Sequence, residues 1–161
     1  MGATMAEPEL LDAADRRILA QLQADASRSI AEISEAVNLS QNACWRRIKR
    51  LESEGFIRKR VALLDAEKLD VGVTVFVTLR AAEHSDEWLA GFAAAVREMP
   101  EVIEFYRLSG EVDYLLKVVV SGISEYDRVY KRLIRSAKLT DVSSAFAMEE
   151  IKWTTALPLG R

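Results

Sequence analysis

Apolar positions recur along this chain with two periods, and the change from one to the other divides it. Between Ser29 and Gly55 the spacing is three and four, the period of a helix face. Ile30, Ile33 and Val37 make one such face, and Ser29-Ile30-Ala31-Glu32 ahead of them has the form of a capping box. In that motif the Ser29 hydroxyl accepts from the Glu32 N–H while the Glu32 carboxylate reaches back to the Ser29 N–H. Asn38-Leu39 breaks the pattern and Ser40 is a second N-cap. From it Cys44, Ile48 and Leu51 form a narrow stripe that stops at Gly55, a residue suited to the left-handed position after a helix end. Upstream, Asp12 with Asp15 three residues on opens a helix that carries Ile18, Leu19 and Leu22 on one side. The pattern therefore predicts a tri-helical core with a helix, a tight turn and a helix inside it.

Beyond Leu64 the period shortens to two. Val73, Val75, Val77 and Leu79 alternate with Thr74, Phe76 and Thr78, a strand signal. Ser85 caps a helix with Trp88, Leu89, Phe92 and Val96 on one side, ended by Met99-Pro100. Val102 to Leu108 and Tyr114 to Val120 read as strands around Ser109-Gly110-Glu111-Val112-Asp113. Ser124 is expected to cap a helix carrying Tyr126, Val129, Tyr130, Leu133 and Ile134, and Val142 to Met148 to form a last strand. The order β-α-β-β-α-β is that of the ferredoxin-like split unit. Its two helices cover one sheet face, and the same surface of another subunit is the natural cover for the other. The expected fold class is α+β. Residues 1–10 show no periodicity and are expected to be mobile. Residues 11–64 are expected to form the tri-helical unit, 65–72 a hinge or linker, and 73–161 the ferredoxin-like unit.

Charge then gives the first unit a task. Between Arg46 and Arg60 lie seven Lys/Arg against two acids, a local excess of five in a chain whose net charge is −3. A basic patch on an acidic protein is an electrostatic footprint for nucleic acid. At about 100° per residue, Asn42, Arg46, Lys49 and Arg50 cluster opposite the Cys44, Ile48 and Leu51 stripe. The N-terminal part of the second helix of a helix-turn-helix enters the major groove, which brings Gln41, Asn42 and Arg46 to the base edges, with Ser40 at the helix head also a DNA-binding candidate. Gln and Asn bond adenine bidentately, and Arg bonds guanine in the same way. Phe56-Ile57-Arg58-Lys59-Arg60-Val61 alternates like a short β segment where a wing would lie, with Arg58, Lys59 and Arg60 facing phosphate. Trp45 flanks the basic face, and either packs beside the DNA backbone or closes the tri-helical core.

Other classes lose ground. No run approaches the roughly 20 apolar residues of a membrane span, and the first residues lack the basic and apolar regions of a signal peptide. A cytoplasmic, nucleoid-associated protein is expected. A single cysteine excludes an intrachain disulfide and leaves no Cys cluster for zinc, so neither metal nor cofactor is implied. Cys44 sits on a core stripe as a small hydrophobe. His84, the one histidine, has no nucleophile, metal partner or activating acid beside it in a recognisable motif. An enzyme on a ferredoxin-like fold remains the competing class, since fold alone does not settle function.

The chain resembles the leucine-responsive and asparagine-synthesis type regulators, the Lrp/AsnC or feast/famine family of transcription factors, over nearly its whole length. The resemblance rests on Leu11-Asp12-Ala13-Ala14-Asp15-Arg16-Arg17-Ile18-Leu19, on Cys44-Trp45-Arg46-Arg47-Ile48-Lys49-Arg50-Leu51-Glu52 with Gly55-Phe56-Ile57, on Val61-Ala62-Leu63-Leu64-Asp65, and on Ser109 to Lys117. It implies a winged helix-turn-helix, an amino-acid-sensing domain of ferredoxin-like fold, and homodimers that assemble into tetramers or octamers. Family members bind an amino-acid effector between sensing domains, next to the hairpin that here holds Ser109, Gly110, Glu111 and Asp113. An amino acid needs an acceptor for its ammonium and backbone donors for its carboxylate. Asp113 and the backbone around Gly110 suit those needs. The plainer alternative makes Gly110 a turn glycine and Asp113 a turn or capping residue. Ser143, Ser144 and Phe146 are candidates for the far wall. Glu87-Trp88, Met99-Pro100-Glu101-Val102, Tyr130 to Leu133 and Ser144 to Glu149 are most similar to members that respond to cysteine. That makes cysteine the first effector to try. An effector-independent architectural DNA protein is the alternative within the same resemblance.

Overall fold

In a computed structural model that describes residues 11–160, these residues form two compact units, 11–62 with 152–160 and 63–151. The expectation of a mobile segment over 1–10 lies outside the described residues.

The reading unit holds three helices, α1 (Ala13–Ala24), α2 (Ile30–Ala36) and α3 (Gln41–Ser53). Each begins at the cap that local chemistry demands. Asp12 and Asp15 form a full capping box, Ser29 and Glu32 another, and the Ser40 hydroxyl accepts from the Ala43 N–H. Between α2 and α3 the Leu39 N–H donates to the Ser34 carbonyl and the Asn38 N–H to that of Glu35, with Asn38 at φ +55°. This is a Schellman closure, with asparagine in the left-handed position that most side chains avoid. Gly55, at φ +80°, serves the same end after α3. Ile18, Leu19, Ile33, Val37, Cys44, Ile48 and Leu51 make the buried core.

The expected wing strand is absent. Among the described residues, Phe56–Val61 forms no strand, because no second extended segment of this unit lies beside it to share backbone hydrogen bonds. Instead the Ile57 N–H donates to the Leu51 carbonyl and the Ile57 side chain packs on the helical core. The stretch expected as a hinge, residues 65–72, contains an ordered helical turn. The Asp65 carboxylate accepts from the Glu67 and Lys68 N–H groups, and Asp70, at φ +57°, closes the turn.

The second unit is the ferredoxin-like α/β domain: β1 (Val73–Ala81), α4 (Asp86–Arg97), β2 (Val102–Arg107), β3 (Tyr114–Val120), α5 (Ile123–Ser136) and β4 (Leu139–Phe146). All pairings are antiparallel in the order β2-β3-β1-β4. Val75, Val77 and Leu79 of β1 and Leu116 and Val118 of β3 are fully buried with Phe92, Val129 and Leu133 from the helices. Two expected boundaries move. Helix α5 starts at Ile123 behind Gly122, not behind Ser124, and its first turn is tied down by the Glu125 carboxylate, which accepts from the Ser121 N–H and hydroxyl. Strand β4 spans Leu139–Phe146 rather than Val142–Met148.

Residues 152–160, expected within the ferredoxin-like unit, cluster by contact with the reading unit. There the Gln23 side-chain amide donates to the Leu157 carbonyl and accepts from the Leu157 N–H, and Leu159 packs on the helical core.

Candidate DNA interface and sensor hairpin

Helix α3 presents two different surfaces. Gln41, Asn42, Trp45, Arg46 and Lys49 are exposed along one face, with Ser40 exposed at its head. Trp45 is 51 % exposed, so of its two alternatives the flanking position is the one it occupies. Arg46, Arg58 and Lys59 make no ion pair among the described residues. Lys49 and Arg60 both reach Glu52, at 2.8 and 3.1 Å, from exposed positions. Such surface pairs are weak and leave both cations recruitable by phosphate.

The other cationic surface faces inward. Arg47 meets Asp12 at 2.6 Å and Asp15 at 2.8 Å, while Arg50 meets Asp15 at 2.5 Å. Asp15 is only 1 % exposed. Arg50 was expected on the outward basic face; it is turned instead toward α1, because a carboxylate removed from water requires opposite charge beside it. The Asp15 N–H and then the Arg47 guanidinium hold the Asp12 carboxyl down at about 2. A cleft lined by Asp12, Asp15, Leu39, Ala43, Arg46, Arg47 and Arg50 marks the edge between the inward and outward surfaces. Nothing in the chain's local periodicity pointed to this network. Its one sequence signal was the pair of arginines at i and i+3 facing a helix that opens with two aspartates.

In the ferredoxin-like unit, Ser109, Gly110 and Glu111 are exposed at the tip of the β2–β3 hairpin, and Gly110 takes φ +134°, a conformation that side chains disfavour. Asp113 has a structural task. Its Oδ2 accepts from the Ala81 N–H at 2.8 Å, its N–H donates to the Leu79 carbonyl and its carbonyl accepts from the Leu108 N–H. It thereby extends the pairing of β1 and β3, which matches the plainer of the two readings of this residue. The far-wall candidates are split by the sheet. Ser144 pairs with Val77 and Phe146 with Val75, so both lie on the helix-covered face. There the Ser144 hydroxyl hydrogen-bonds the Tyr126 phenol and Phe146 stands edge-on to its ring. Ser143 pairs with Thr78 on the opposite, open face.

Comparison with known proteins settles the kinship of this arrangement. Residues 11–58 match the winged helix-turn-helix DNA-binding family, and residues 74–157 match the Lrp/AsnC ligand binding domain. The chain belongs to the Lrp/AsnC family. It is a DNA-binding transcriptional regulator. Among its relatives it is 58 % identical to the glutamate uptake regulatory protein of Zymomonas mobilis, over 92 % of this chain and 91 % of that one. It is 50 % identical to the DNA-binding transcriptional activator DecR of Escherichia coli, over 93 % and 99 %. Of solved structures, a transcriptional regulator from Neisseria meningitidis in complex with L-Met superposes with a TM-score of 0.88 at 37 % identity, covering 92 % of this chain and 97 % of that chain. No helix among the described residues of this Lrp/AsnC protein is long and apolar enough to cross a membrane.

Proposed function

We propose that this regulator reads promoter DNA with Ser40, Gln41, Asn42, Trp45, Arg46 and Lys49, braces on phosphate with Arg58, Lys59 and Arg60, and responds to a small amino acid bound beside the Gly110–Asp113 hairpin. The observation that carries the DNA half is the division of cations on α3. Arg47 and Arg50 neutralise Asp15, whereas Arg46 stands exposed without an ion-pair partner among the described residues. Arginine is the residue that bonds guanine bidentately, so a free one near the head of the second helix is placed for base readout.

Two subunits are required. The sheet face opposite the helices carries Phe76 and Tyr106, 39 % and 50 % exposed, beside Leu115 and Val119. A second copy covers that face in the proposed dimer, and two reading heads then match a two-fold operator. Larger assemblies, tetramers or octamers, are built from such dimers. The amino-acid class of effector is supported by the match to a ligand binding domain and by the L-Met complex of the Neisseria relative. Cysteine is the first effector to try, on the resemblance of the second half to cysteine-responsive members. Ser109, Gly110, Glu111 and Asp113 line one side in this proposal. Oδ1 of Asp113, which has no hydrogen-bond partner among the described residues, is the acceptor for the ammonium. Ser143 is retained as a neighbour on the open face, while Ser144 and Phe146 act through Tyr126.

Promoter affinity measured across a panel of free amino acids tests this. A change in affinity with at least one of them, cysteine first, is the expected result. No change with any at millimolar concentration would leave an effector-independent DNA protein.

A further inference from the structure

Among the described residues, the reading unit is not one continuous stretch of chain. The backbone leaves it after Ala62 and returns at Lys152, so both ends of the sensing unit are anchored in the reader. The returning segment is seated by four independent features on α1. The Gln23 side-chain amide pairs with the Leu157 backbone in both directions, at 3.1 Å as donor and 2.6 Å as acceptor. The Arg16 guanidinium donates to the Leu159 carbonyl. Leu159 enters the core cluster that contains Ile18, Ile48 and Leu51. Gly160 takes φ +68°, and a Cβ there would meet Arg16 Nη1 at 3.3 Å. A side-chain amide that satisfies both backbone polar groups of one residue acts as a strand edge would. Together with the apolar anchor it gives the segment a defined register.

The opposite end of α1 holds the reading helix. Asp12 and Asp15 bind Arg47 and Arg50 of α3, immediately behind exposed Arg46. Thus α1 is bound at one end to the recognition helix and along its length to a segment that continues directly from β4 of the sensing unit. Leu157 itself is 72 % exposed, so its side chain contributes little and the seat reads backbone and Leu159.

We propose that residues 157–160 form a strap, and that this strap carries the state of the sensing unit through α1 and the Asp15–Arg47–Arg50 network to the DNA-reading face. The proposal rests on the reading of the protein as an effector-modulated regulator. When the effector shifts the sensing unit between two states, tension or slack in residues 147–156 changes the seating of Leu159. The position of α1 then biases the arginines that fix α3. Coupling of this kind is a free-energy difference shared by two sites, typically a factor of about 5–150 in affinity.

The test uses the full chain and three variants. Leu159→Asp removes the apolar anchor, Leu157→Pro deletes the N–H that Gln23 accepts from while preserving the rest, and Leu157→Ala is the control. Amide hydrogen exchange in α1 reports the seat. Promoter affinity with and without each amino acid of a panel reports coupling, and calorimetry reports effector binding directly. The strap predicts faster exchange in α1 for Leu159→Asp and Leu157→Pro, retained effector binding, and an effector-induced change in promoter affinity that falls toward one. Leu157→Ala leaves all three as in wild type. Faster exchange with a full effector response would overturn the coupling role. Unchanged exchange in both disruptive variants would overturn the seat itself. A wild type that no amino acid affects would defeat the sensor reading and the coupling together, while the exchange result would still decide whether the strap is seated.

Discussion

The two units are stabilised in different ways. The sensing unit buries fourteen apolar residues between a four-stranded sheet and two helices, and its core contains no charge. The reading unit has, among the described residues, seven buried apolar residues and, beside them, a carboxylate removed from water that is neutralised by two arginines of the recognition helix. A core of packed apolar groups resists deformation because every displacement opens voids. A small core completed by an ion network and a returning segment has its geometry set by a few polar contacts, each open to competition from phosphate, protons or tension. The difference suits a rigid sensor joined to an adjustable reader.

The sharpest way to break the comparison is to strip Asp15 of its partners. The double variant Arg47→Ala with Arg50→Ala leaves a buried carboxylate uncompensated, which costs about 3–5 kcal/mol. Thermal unfolding should then separate into two transitions, the reading unit melting first. A single transition at the wild-type temperature would show that the ion network does not hold the reader together.

In the sensing unit the corresponding polar element is Asp113, and its two oxygens allow a finer test. Asn at this position keeps an oxygen to accept from the Ala81 N–H, so Asp113→Asn should fold normally and retain basal DNA binding. Effector affinity should fall by about 1.5–3 kcal/mol, since a charge-assisted bond becomes a neutral one. Calorimetry with an unchanged affinity would move the proposed pocket away from this residue.

Within the reading unit, the outward cations should behave unlike the inward ones. Arg46→Ala should cost about 1–3 kcal/mol at the promoter site and relax sequence preference. Lys59→Ala should weaken all sequences alike and make the salt dependence shallower by about one. Equal losses on specific and random DNA from both changes would erase the distinction between base reader and phosphate brace.

The smallest expected effect is a pH dependence. Asp12 titrates at about 2 in the folded protein against an ordinary 3.8, chiefly through the Asp15 N–H and the Arg47 guanidinium. A depressed folded value means that its contribution is fully present above about pH 4 and is lost as pH falls toward 2. The denaturant midpoint should decline across that window, and Asp12→Asn, which keeps an N-cap acceptor, should flatten the decline. An identical slope in the variant would assign the acid sensitivity to other groups.

What was legible in the sequence was what is decided locally. Capping boxes at Asp12 and Ser29, the cap at Ser40, the glycine after α3 and the alternation of β1 and β3 each depend on residues a few positions apart, and each is realised. The misreadings have non-local causes. Arg50 lies on the outward arc of an ideal helix, but its partner is thirty-five residues away. Ser144 and Phe146 alternate with Ser143 as a strand requires, yet which side faces α5 depends on register with β1. Phe56–Val61 alternates correctly and still forms no strand, because alternation does not supply a partner. The return of residues 152–160 to α1 left no periodic trace at all, being carried by one leucine, one glycine and backbone groups. Of the DNA-reading candidates, Gln41, Asn42, Trp45, Arg46 and Lys49 occupy one exposed face; of the effector candidates, the hairpin residues stay together while the far wall divides.

The central claim is that the exposed face of α3 reads sequence. Competition between one two-fold symmetric promoter site and random DNA of equal length, repeated along a series of salt concentrations, tests it most directly. The account predicts a preference for the promoter of about 10³-fold or more near physiological salt, which Arg46→Ala narrows and Lys59→Ala leaves in place. Equal affinity for both DNAs at every salt concentration would contradict it and would make this protein an architectural binder of the phosphate backbone.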